Sequence, residues 1–390
     1  MSEGRRSKLS LYAATLLIAL ALLEAGSFAA IRISYWVRAH YLPWGRAARE
    51  VHAREGIDFD VLRSELDVLY RGELKLQPYR WYALPESFHG TYVNTDRDGF
   101  RLSPPPAGNA PLMAFFGGST MFSTSTSDPH SIPAYLSQSI DPAVIQARNF
   151  GVGGYSSSAE LPLFIEELRR NRIAVAVFYD GVNEVDTYLP MLQDHPSETY
   201  WDVIGYPQPY SYVPALRHTA SSEALLIEPY TVKLARLVWQ HLPIGIGNAN
   251  FIVTEANVDS HAEHAASIYL RNLEDIAALA ASHGVTPVFF WQPNIYTTKK
   301  PFSDYERGVA ASQPAARLLS VALHNKVLAS PILARYRFVD LTDALDGMGA
   351  ETEFLDDAHV SFEANRIIAA RMAAALQAMT PQDYWKKTTP

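Results

Sequence analysis

The sequence predicts an α/β domain with a parallel sheet, placed behind a membrane-spanning helix at the N-terminus. From Pro111 onward, short apolar runs typical of buried strands alternate with segments of helical spacing, which is the pattern of strand–helix–strand units. Three of these runs end in glycine-containing turns, the position at which such sheets place their ligand crevice. The first 31 residues are largely apolar behind a basic end, as membrane anchors are.

Composition excludes several classes of function. The chain has 390 residues, of which 48% are hydrophobic and 19% are charged, as in a globular protein with one added apolar segment. Its net charge of −8, with no basic cluster beyond residues 5–8, argues against a nucleic-acid partner, since binding a phosphate backbone needs clustered Lys and Arg. Cysteine is absent, so no disulfide, thiolate nucleophile or Cys-ligated zinc site is expected.

The N-terminal segment, residues 1–31, is predicted to anchor the protein in a membrane. A helix over residues 9–30 would be about 33 Å long, enough to cross a hydrocarbon core of roughly 30 Å. A basic run precedes it, and positive charge on this side predicts a cytoplasmic N-terminus with the catalytic domain exported to the periplasm or cell surface. Two alternatives are a signal peptide cleaved near residues 27–29 and a buried helix of a soluble protein.

Patterning divides the chain into an anchor or signal segment, a stalk with a lead-in, the α/β domain and a short tail, at residues 1–31, 32–110, 111–380 and 381–390. Within the α/β domain the alternation of strands and helices breaks at about 187–260, where the first part is dense in Tyr, Trp and Pro. We interpret this stretch as an insertion beside the active site, with an amphipathic helix at 222–242.

Five buried strands are expected in the α/β domain, at residues 112–116, 144–150, 174–179, 287–291 and 337–341. The first, third and fourth are short apolar runs of the kind that forms a buried strand. The last helix is expected at 361–379, where Ile368, Met372, Leu376 and Met379 form one apolar stripe.

The first candidate site residue is Ser119, which follows the glycine pair Gly117-Gly118 at the end of the first predicted strand. A serine in such a turn presents its hydroxyl to the crevice, and its backbone N–H is available to an oxyanion. The structural alternative is a turn with a helix-capping serine. The nucleophile elbow of α/β-hydrolases does not fit, because Met121 replaces the second glycine of that motif.

Two further turns carry candidate oxyanion donors. Gly153 and Gly154 follow the second predicted strand, and glycine lets a backbone amide approach a substrate oxygen closely. Asn183 follows the third, and its side-chain amide is able to donate to a developing oxyanion. The structural alternatives are a tight strand-to-helix turn for the glycines and a loop-closing hydrogen bond for Asn183.

The fourth candidate is the pair Asp356 and His359, directly before the last helix. The imidazole accepts a serine proton, and a carboxylate three residues earlier is able to fold back and hold the ring in the productive tautomer. Asp357 competes for this role, but the spacing favours Asp356. The alternative is an acidic helix N-terminus that satisfies the helix dipole without catalysis. No cofactor and no metal site is expected, since His261 and His264 lack a third ligand nearby.

The order of these motifs resembles the SGNH, or GDSL-like, hydrolase family. The chain reads Gly-x-Ser at the first strand, glycine at the second, Gly-x-Asn at the third and Asp-x-x-His before the last helix, over residues 112–379 with the insertion unaccounted for. The family's first block often has an acid where this chain has Gly118. The resemblance implies a three-layer α/β/α, flavodoxin-like fold. It also implies a triad of Ser119, Asp356 and His359, with an oxyanion hole formed by Ser119, Gly154 and Asn183.

The lead-in at 92–101 and the block at 178–181 are similar to members associated with bacterial exopolysaccharide and cell-envelope gene clusters. An exported enzyme of this family is expected to remove acetyl or similar acyl esters from envelope or secreted polysaccharide. Lipid and thioester substrates stay open. Two other functions also stay open: an O-acyltransferase that uses polysaccharide hydroxyls as acceptors, and a non-catalytic scaffold that binds polysaccharide.

Overall fold

A computed structural model of the chain describes residues 3–41, 43–71, 75–77, 82–102, 104, 108–194, 230–232, 234–235 and 253–386. The chain divides into two compact units. The first comprises Met1–Arg46 and His218–Gly247, and the second comprises Ala47–Arg217 and Asn248–Pro390. The N-terminal helix belongs to the first unit and the α/β domain to the second.

The first unit is built on one long helix, α1, at Glu3–Tyr41. Within it the stretch Tyr12–Ser34 is long and apolar enough to cross a membrane. Large apolar side chains of this stretch are exposed; Leu22, for example, is 68% exposed, as a lipid-facing residue would be. Length, composition and position fit a membrane anchor or a signal sequence.

In chain order the strands of the second unit are β1 Lys75–Leu76, β2 Tyr82–Ala83, β3 Leu112–Gly117, β4 Gln146–Asn149, β5 Ile173–Asp180, β6 Thr286–Trp291 and β7 Phe338–Asp340. The last five form one parallel sheet in the order β4-β3-β5-β6-β7. The first two pair with each other as a separate antiparallel ribbon.

This strand order is that of flavodoxin-like folds, because the first core strand, β3, lies between the second and the third. The predicted parallel α/β sheet is confirmed, and all five expected strands are present with slightly shifted ends. The second is shorter than expected because Val144 belongs to a turn, in which its N–H donates to the Asp141 carbonyl at 3.0 Å. In this topology the chain changes winding direction between β3 and β5, and the ligand crevice of such sheets lies there.

In chain order the helices after α1 are α2 Pro43–Glu55, α3 Phe59–Arg71, α4 Ser119–Phe122, α5 Ile132–Ser137, α6 Ser157–Arg170, α7 Val182–Asp194, α8 Val258–Ser282, α9 Asp304–Ser312, α10 Pro314–Ala329 and α11 Phe362–Met379. Helices α6, α8 and α10 pack on one face of the sheet, and α5 and α11 on the other, so the domain has three layers. Ser361 caps α11, because its hydroxyl accepts the Ala364 N–H at 3.1 Å.

One face of the sheet carries a row of stacked phenylalanines. The ring centroids of Phe116 and Phe178 are 5.0 Å apart, and those of Phe178 and Phe289 are 5.3 Å apart. Phe150 stacks on the other side of Phe116 at 5.2 Å. All four are fully buried, and burying each side chain contributes about 1.5–3 kcal/mol. This row fixes the strands side by side, so the turns at their ends have defined positions.

The lead-in, residues 47–102, includes most of α2, all of α3 and the ribbon β1–β2, and its apolar side chains pack into the core of the α/β domain, where the sequence predicts a stalk followed by a lead-in. Arg101 has a fully buried side chain whose guanidinium pairs with Asp128 at 2.8 Å. It also donates to three backbone carbonyl oxygens at the end of α4 and in the loop after it, those of Phe122, Ser123 and Thr126. These acceptors offset the cost of burying the charge, and they hold that loop in one conformation.

The stretch predicted as an insertion, 187–260, begins and ends in helix, since α7 continues to Asp194 and α8 starts at Val258. The amphipathic helix predicted at 222–242 lies almost wholly outside the described residues; 230–232 and 234–235 are helical. At the C-terminus, in the predicted tail, Trp385 is buried and its Nε1 donates to the Thr380 hydroxyl at 3.0 Å.

Candidate active site

The candidate site residues lie at the edge of the sheet where the parallel strands end. Ser119 follows β3, Gly154 follows β4 and Asn183 follows β5. The segment with the Asp356–His359 pair reaches the same edge, because the Asp357 carbonyl accepts the N–H of Ile295, just after β6, at 2.9 Å. Parallel strands end at a common edge, so this arrangement brings together residues that are far apart in sequence.

Ser119 is the first residue of the four-residue helix α4. The preceding Gly118 has no room for a side chain: a Cβ there would lie 1.8 Å from Asn183 Nδ2 and 3.0 Å from the Tyr155 carbonyl oxygen. The Asn183 amide is therefore packed against the backbone just before the serine. As a first-turn residue, Ser119 has a backbone N–H with no acceptor inside its own helix, which leaves it available to an oxyanion.

Asn183 is fixed by a hydrogen bond from its Nδ2 to the Tyr155 carbonyl oxygen at 2.6 Å. This bond uses one of the two amide protons, so the second is available for another acceptor. Gly154 lies next to Tyr155 and has a φ of +76°, a conformation that favours glycine. Tyr155 therefore links the two candidate oxyanion donors, since it follows Gly154 in the chain and its carbonyl oxygen accepts a hydrogen bond from Asn183.

Asp356 and His359 form a closed hydrogen-bonded pair. His359 Nδ1 lies 2.7 Å from Asp356 Oδ2, and Asp356 Oδ1 accepts the backbone N–H of His359 at 2.7 Å and of Ala358 at 2.9 Å. With the carboxylate ionised, this geometry places the proton on Nδ1 and leaves Nε2 as the proton acceptor.

Within the described part of the chain, His359 Nε2 is buried and has no hydrogen-bond partner, so the Ser119 hydroxyl is not bonded to it. Hydrogen bonds between nucleophile and base are often long in substrate-free enzymes and shorten in the complex. The structure therefore places Ser119 and His359 at the same edge of the sheet, with Asp356 and His359 in direct contact. The Ser119 hydroxyl makes no hydrogen bond to His359 Nε2.

Carboxylates dominate the electrostatics around His359. Burial alone would lower the pKa of His359, but the charges of Asp356, Asp357 and Asp186 outweigh it and raise this pKa to about 9. Burial would raise the pKa of Asp356, whereas the charge and hydrogen bonds of His359 hold it below its usual value. Burial and the neighbouring Asp356 charge raise the pKa of Asp357 to about 6. The site therefore favours the imidazolium, the form that appears during acyl transfer.

Helix α2 contacts both loops that carry the candidate triad. His52 Nε2 lies 2.8 Å from the Ser125 carbonyl oxygen, in the loop after α4. Arg54 donates to the Thr352 carbonyl at 2.6 Å, in the segment that leads to the aspartate. Leu355 of that segment is buried in a small apolar cluster with three residues of the lead-in, Ala48, Val51 and Phe59. The lead-in is therefore part of the support of the site.

A second acidic group lies behind the site, near the end of β5. Glu160, Asp180 and Glu184 are buried, and burial raises the pKa of each above its usual value. Glu184 accepts the backbone N–H of Ser157 at 2.8 Å and of Gly181 at 3.1 Å. It thereby ties the turn after β5 to the start of α6.

The structure adds three residues near the site that the sequence analysis did not single out: Asp186, Tyr296 and Gln292. Asp186 follows Asn183 by three residues in α7, so both lie on one helix face, and this spacing was an available signal. Tyr296 follows β6, and burial, together with nearby carboxylates, raises its pKa. Gln292 Oε1 accepts the Thr120 hydroxyl at 2.6 Å, a contact that no sequence pattern indicates.

His261 and His264, the two residues considered as metal ligands, lie on α8 beside Tyr188. His261 Nδ1 is 3.2 Å from the Tyr188 hydroxyl, and the ring centroids of His264 and Tyr188 are 5.9 Å apart. Among the residues that the structure describes, no group of three or more His, Asp or Glu side chains is arranged to hold a metal ion.

No protein-family model matches this chain, and no curated protein matches it by sequence. Solved structures that resemble it include an α/β hydrolase enzyme from the metagenome of Lake Arreo, Spain, with 11% identity and a TM-score of 0.38, covering 70% of this chain and 99% of that one. An acetylxylan esterase from Geobacillus stearothermophilus has 13% identity and a TM-score of 0.35, covering 70% and 96%. TesA has 11% identity and a TM-score of 0.37, covering 69% and 99%. These TM-scores are low, so the fold is assigned from the order and direction of the strands.

Proposed function

We propose that this protein is a serine esterase of the SGNH type, with Ser119 as the nucleophile and His359 as the base. The observation that carries the proposal is the Asp356–His359 pair, in which the 2.7 Å bond to Nδ1 fixes the tautomer that accepts a proton at Nε2. Ser119 and Asn183 lie at the same edge of the sheet, as an attacking group and an oxyanion donor must.

In the proposed reaction His359 Nε2 takes the proton of the Ser119 hydroxyl, and Oγ attacks the carbonyl carbon of an ester. The resulting oxyanion accepts hydrogen bonds from the backbone N–H groups of Ser119 and Gly154 and from Asn183 Nδ2. The intermediate collapses to an acyl-serine, and the alcohol leaves with the proton from His359. Water then attacks the acyl-serine with His359 again as base, releasing the acid and free Ser119.

Acetyl or similar acyl esters of envelope or secreted polysaccharide are the proposed substrate class. Two observations support this choice. The apolar stretch Tyr12–Ser34 follows Arg5, Arg6 and Lys8, an arrangement that favours an anchor with the domain outside the cytoplasm, where such polymers lie. The carboxylates around His359, among them Asp357, disfavour an anionic acyl group and fit a neutral one such as acetyl.

The test is to incubate the full-length protein in detergent with an aryl acetate, with acetylated polysaccharide, and with both donor and a sugar acceptor, and to identify the products by mass spectrometry. Free acetate from the polysaccharide is expected. Acetylated acceptor without free acetate would make the protein an acyltransferase. Polysaccharide binding without either product would make it a scaffold.

Labelling with a fluorophosphonate identifies the nucleophile. The wild-type protein is expected to gain one adduct, on the tryptic peptide that contains Ser119, and Ser119→Ala is expected to gain none. Ser282→Ala is the matched control, because Ser282 is an exposed serine on α8 whose hydroxyl donates to the Leu279 carbonyl at 2.8 Å and lies 3.0 Å from His283 Nδ1, away from the site. Equal labelling of Ser119→Ala and wild type would refute the assignment of the nucleophile.

A further inference from the structure

One face of helix α1 is covered although most of the helix is exposed. Ser27 is 5% exposed and Ile31 is 7% exposed, whereas Leu22 and Ile33 are 68% and 61% exposed. Glu24 is half-buried. Residues 24, 27 and 31 follow the i, i+3, i+7 spacing of a single helix face. A partner therefore covers a stripe on the apolar stretch Tyr12–Ser34.

The described part of that partner is residues 230–232 and 234–235, which belong to the same compact unit as α1. Glu24 Oε2 accepts the backbone N–H of Thr231 at 3.1 Å and the Thr231 hydroxyl at 3.1 Å. Glu24 Oε1 accepts the backbone N–H of Tyr230. One turn along α1, the Phe28 and Tyr230 rings meet edge to face with centroids 4.8 Å apart.

The position of Glu24 makes this contact unusual. Glu24 is ten residues before Ser34, the outer end of the apolar stretch, which is about 15 Å along a helix. A carboxylate at that depth in a bilayer is costly and needs a partner inside the protein. Backbone N–H groups are equally costly in lipid when they have no acceptor. Each group satisfies the other, so the pair is suited to a membrane interior.

We propose that residues 230–232 and 234–235 belong to a second membrane-embedded element, docked on the anchor helix through Glu24 and Phe28. This part of the insertion then lies in the membrane and not in the aqueous phase. A covered stripe with its own partner also argues for a retained anchor, because a signal peptide is removed from the mature chain. The proposal rests on the membrane anchor proposed above and is independent of the esterase chemistry.

The absence of cysteine allows a direct test in native membranes. In the double variant Phe28→Cys/Tyr230→Cys, a short bis-maleimide cross-linker, which fills the space left by the two rings, is expected to join the two cysteines within one chain, detected as one linked peptide pair by mass spectrometry. Leu22→Cys/Tyr230→Cys is the matched control, because Leu22 is 68% exposed and lies about 200° around the helix from Glu24. Linkage of the first pair alone supports docking; no linkage, or equal linkage of both pairs, overturns it. A linked dimer in place of the monomer would mean that a second copy covers the stripe and would also overturn it.

A second experiment asks whether Glu24 holds the contact. The cysteine of Tyr230→Cys is labelled with a membrane-impermeant maleimide, with and without the additional substitution Glu24→Leu. Labelling is expected to be about tenfold faster in the Glu24→Leu protein, the effect of losing a charge-assisted hydrogen bond of about 1.4 kcal/mol. Glu24→Gln, which keeps an acceptor oxygen, should fall between them. Carbonate extraction and intact mass are measured on the same samples. A cleaved, extractable protein would refute the anchor, whereas a retained anchor with equal labelling in all three proteins would refute the docking alone.

Discussion

The Ser125 hydroxyl donates to the Val360 carbonyl oxygen at 2.6 Å, and these residues are 235 positions apart in sequence. Ser125 lies in the loop that follows Ser119, and Val360 comes directly after His359. The bond therefore joins the loop of the nucleophile to the loop of the base. The two loops follow different strands, so their relative placement depends on such contacts and on helix α2, whose His52 reaches the Ser125 carbonyl.

The first prediction concerns this bond. Ser125→Ala should lower kcat about tenfold with little change in KM, because the distance between nucleophile and base becomes less well defined while the binding surface remains. The loss of stability should be only about 1 kcal/mol, the usual net value of one hydrogen bond. Steady-state kinetics on an aryl acetate and a thermal melt measure both quantities.

Ser137→Ala is the control for this variant, because Ser137 makes the same kind of bond, to the Ala134 carbonyl at 2.6 Å, away from the site. It should lose similar stability and keep its kcat. Equal kcat values for Ser125→Ala and Ser137→Ala would show that the loop-to-loop bond is structural only.

The second prediction separates the two adjacent aspartates. Asp356→Asn should lose at least about 10²-fold in kcat, since it removes the acceptor of the Nδ1 proton; the precedent in serine proteases is about 10⁴-fold. Asp357→Asn should stay within a few-fold, because that side chain acts on His359 only through its charge. Kinetics of both variants on one ester decide the assignment. The reverse ranking would place the orienting role on Asp357, and two silent variants would leave a Ser119–His359 dyad.

The third prediction is a pH profile. An imidazole with a pKa of about 9 is protonated at neutral pH and cannot accept the serine proton, so kcat/KM should rise with pH and level off above about 9. Burial and the charges of Asp357 and Asp356 raise the pKa of Asp186, so this carboxyl ionises at a higher pH than an ordinary aspartate. Asp186→Asn removes its charge, which favours the imidazolium. The midpoint should therefore move to lower pH, by up to about one unit, and kcat/KM at neutral pH should increase.

Asp275→Asn is the matched control for the profile, because Asp275 is an exposed aspartate on α8. Its midpoint should equal that of the wild type. A flat profile across this range, or a shift of the Asp186→Asn midpoint to higher pH, would contradict the electrostatic assignment.

The parallel sheet could be predicted because its three central strands, β3, β5 and β6, are largely buried and read as short apolar runs. The runs that became β3 and β5 are examples, since Phe115 and Phe116, or Val177 and Phe178, point to opposite buried faces. The order of the strands cannot be derived from such runs alone. It was expected only because the order of the motifs resembles that of the SGNH family.

The support of the site could not be predicted, because it consists of contacts between distant segments. Nothing in the sequence of α2 indicates that Arg54 reaches the Thr352 carbonyl or that Leu355 packs beside it. Asp186 could have been inferred from its helical spacing to Asn183, had the α7 boundary been known. Local patterns report neighbours along the chain, whereas these contacts are set by loop closure over long separations.

The last prediction concerns Gly118, the glycine directly before Ser119. A Cβ on Gly118 would lie 1.8 Å from Asn183 Nδ2, so Gly118→Ala must displace that amide. We expect kcat to fall about 10²–10³-fold, as it should in Asn183→Ala, because both variants lose the same oxyanion donor. The combined variant should be little worse than either single one, since the donor is lost only once.

Gly308→Ala is the control for adding a methyl group, because Gly308 lies in helix α9 and has nothing within 4 Å of the new carbon. It should keep full activity and gain stability, about 1 kcal/mol by the difference in helix propensity. Kinetics of the wild type, Gly118→Ala, Asn183→Ala and the double variant on one ester measure the coupling. If the losses of Gly118→Ala and Asn183→Ala multiplied in the double variant, the two residues would act separately, and the amide of Asn183 would not be the group that Gly118 makes room for.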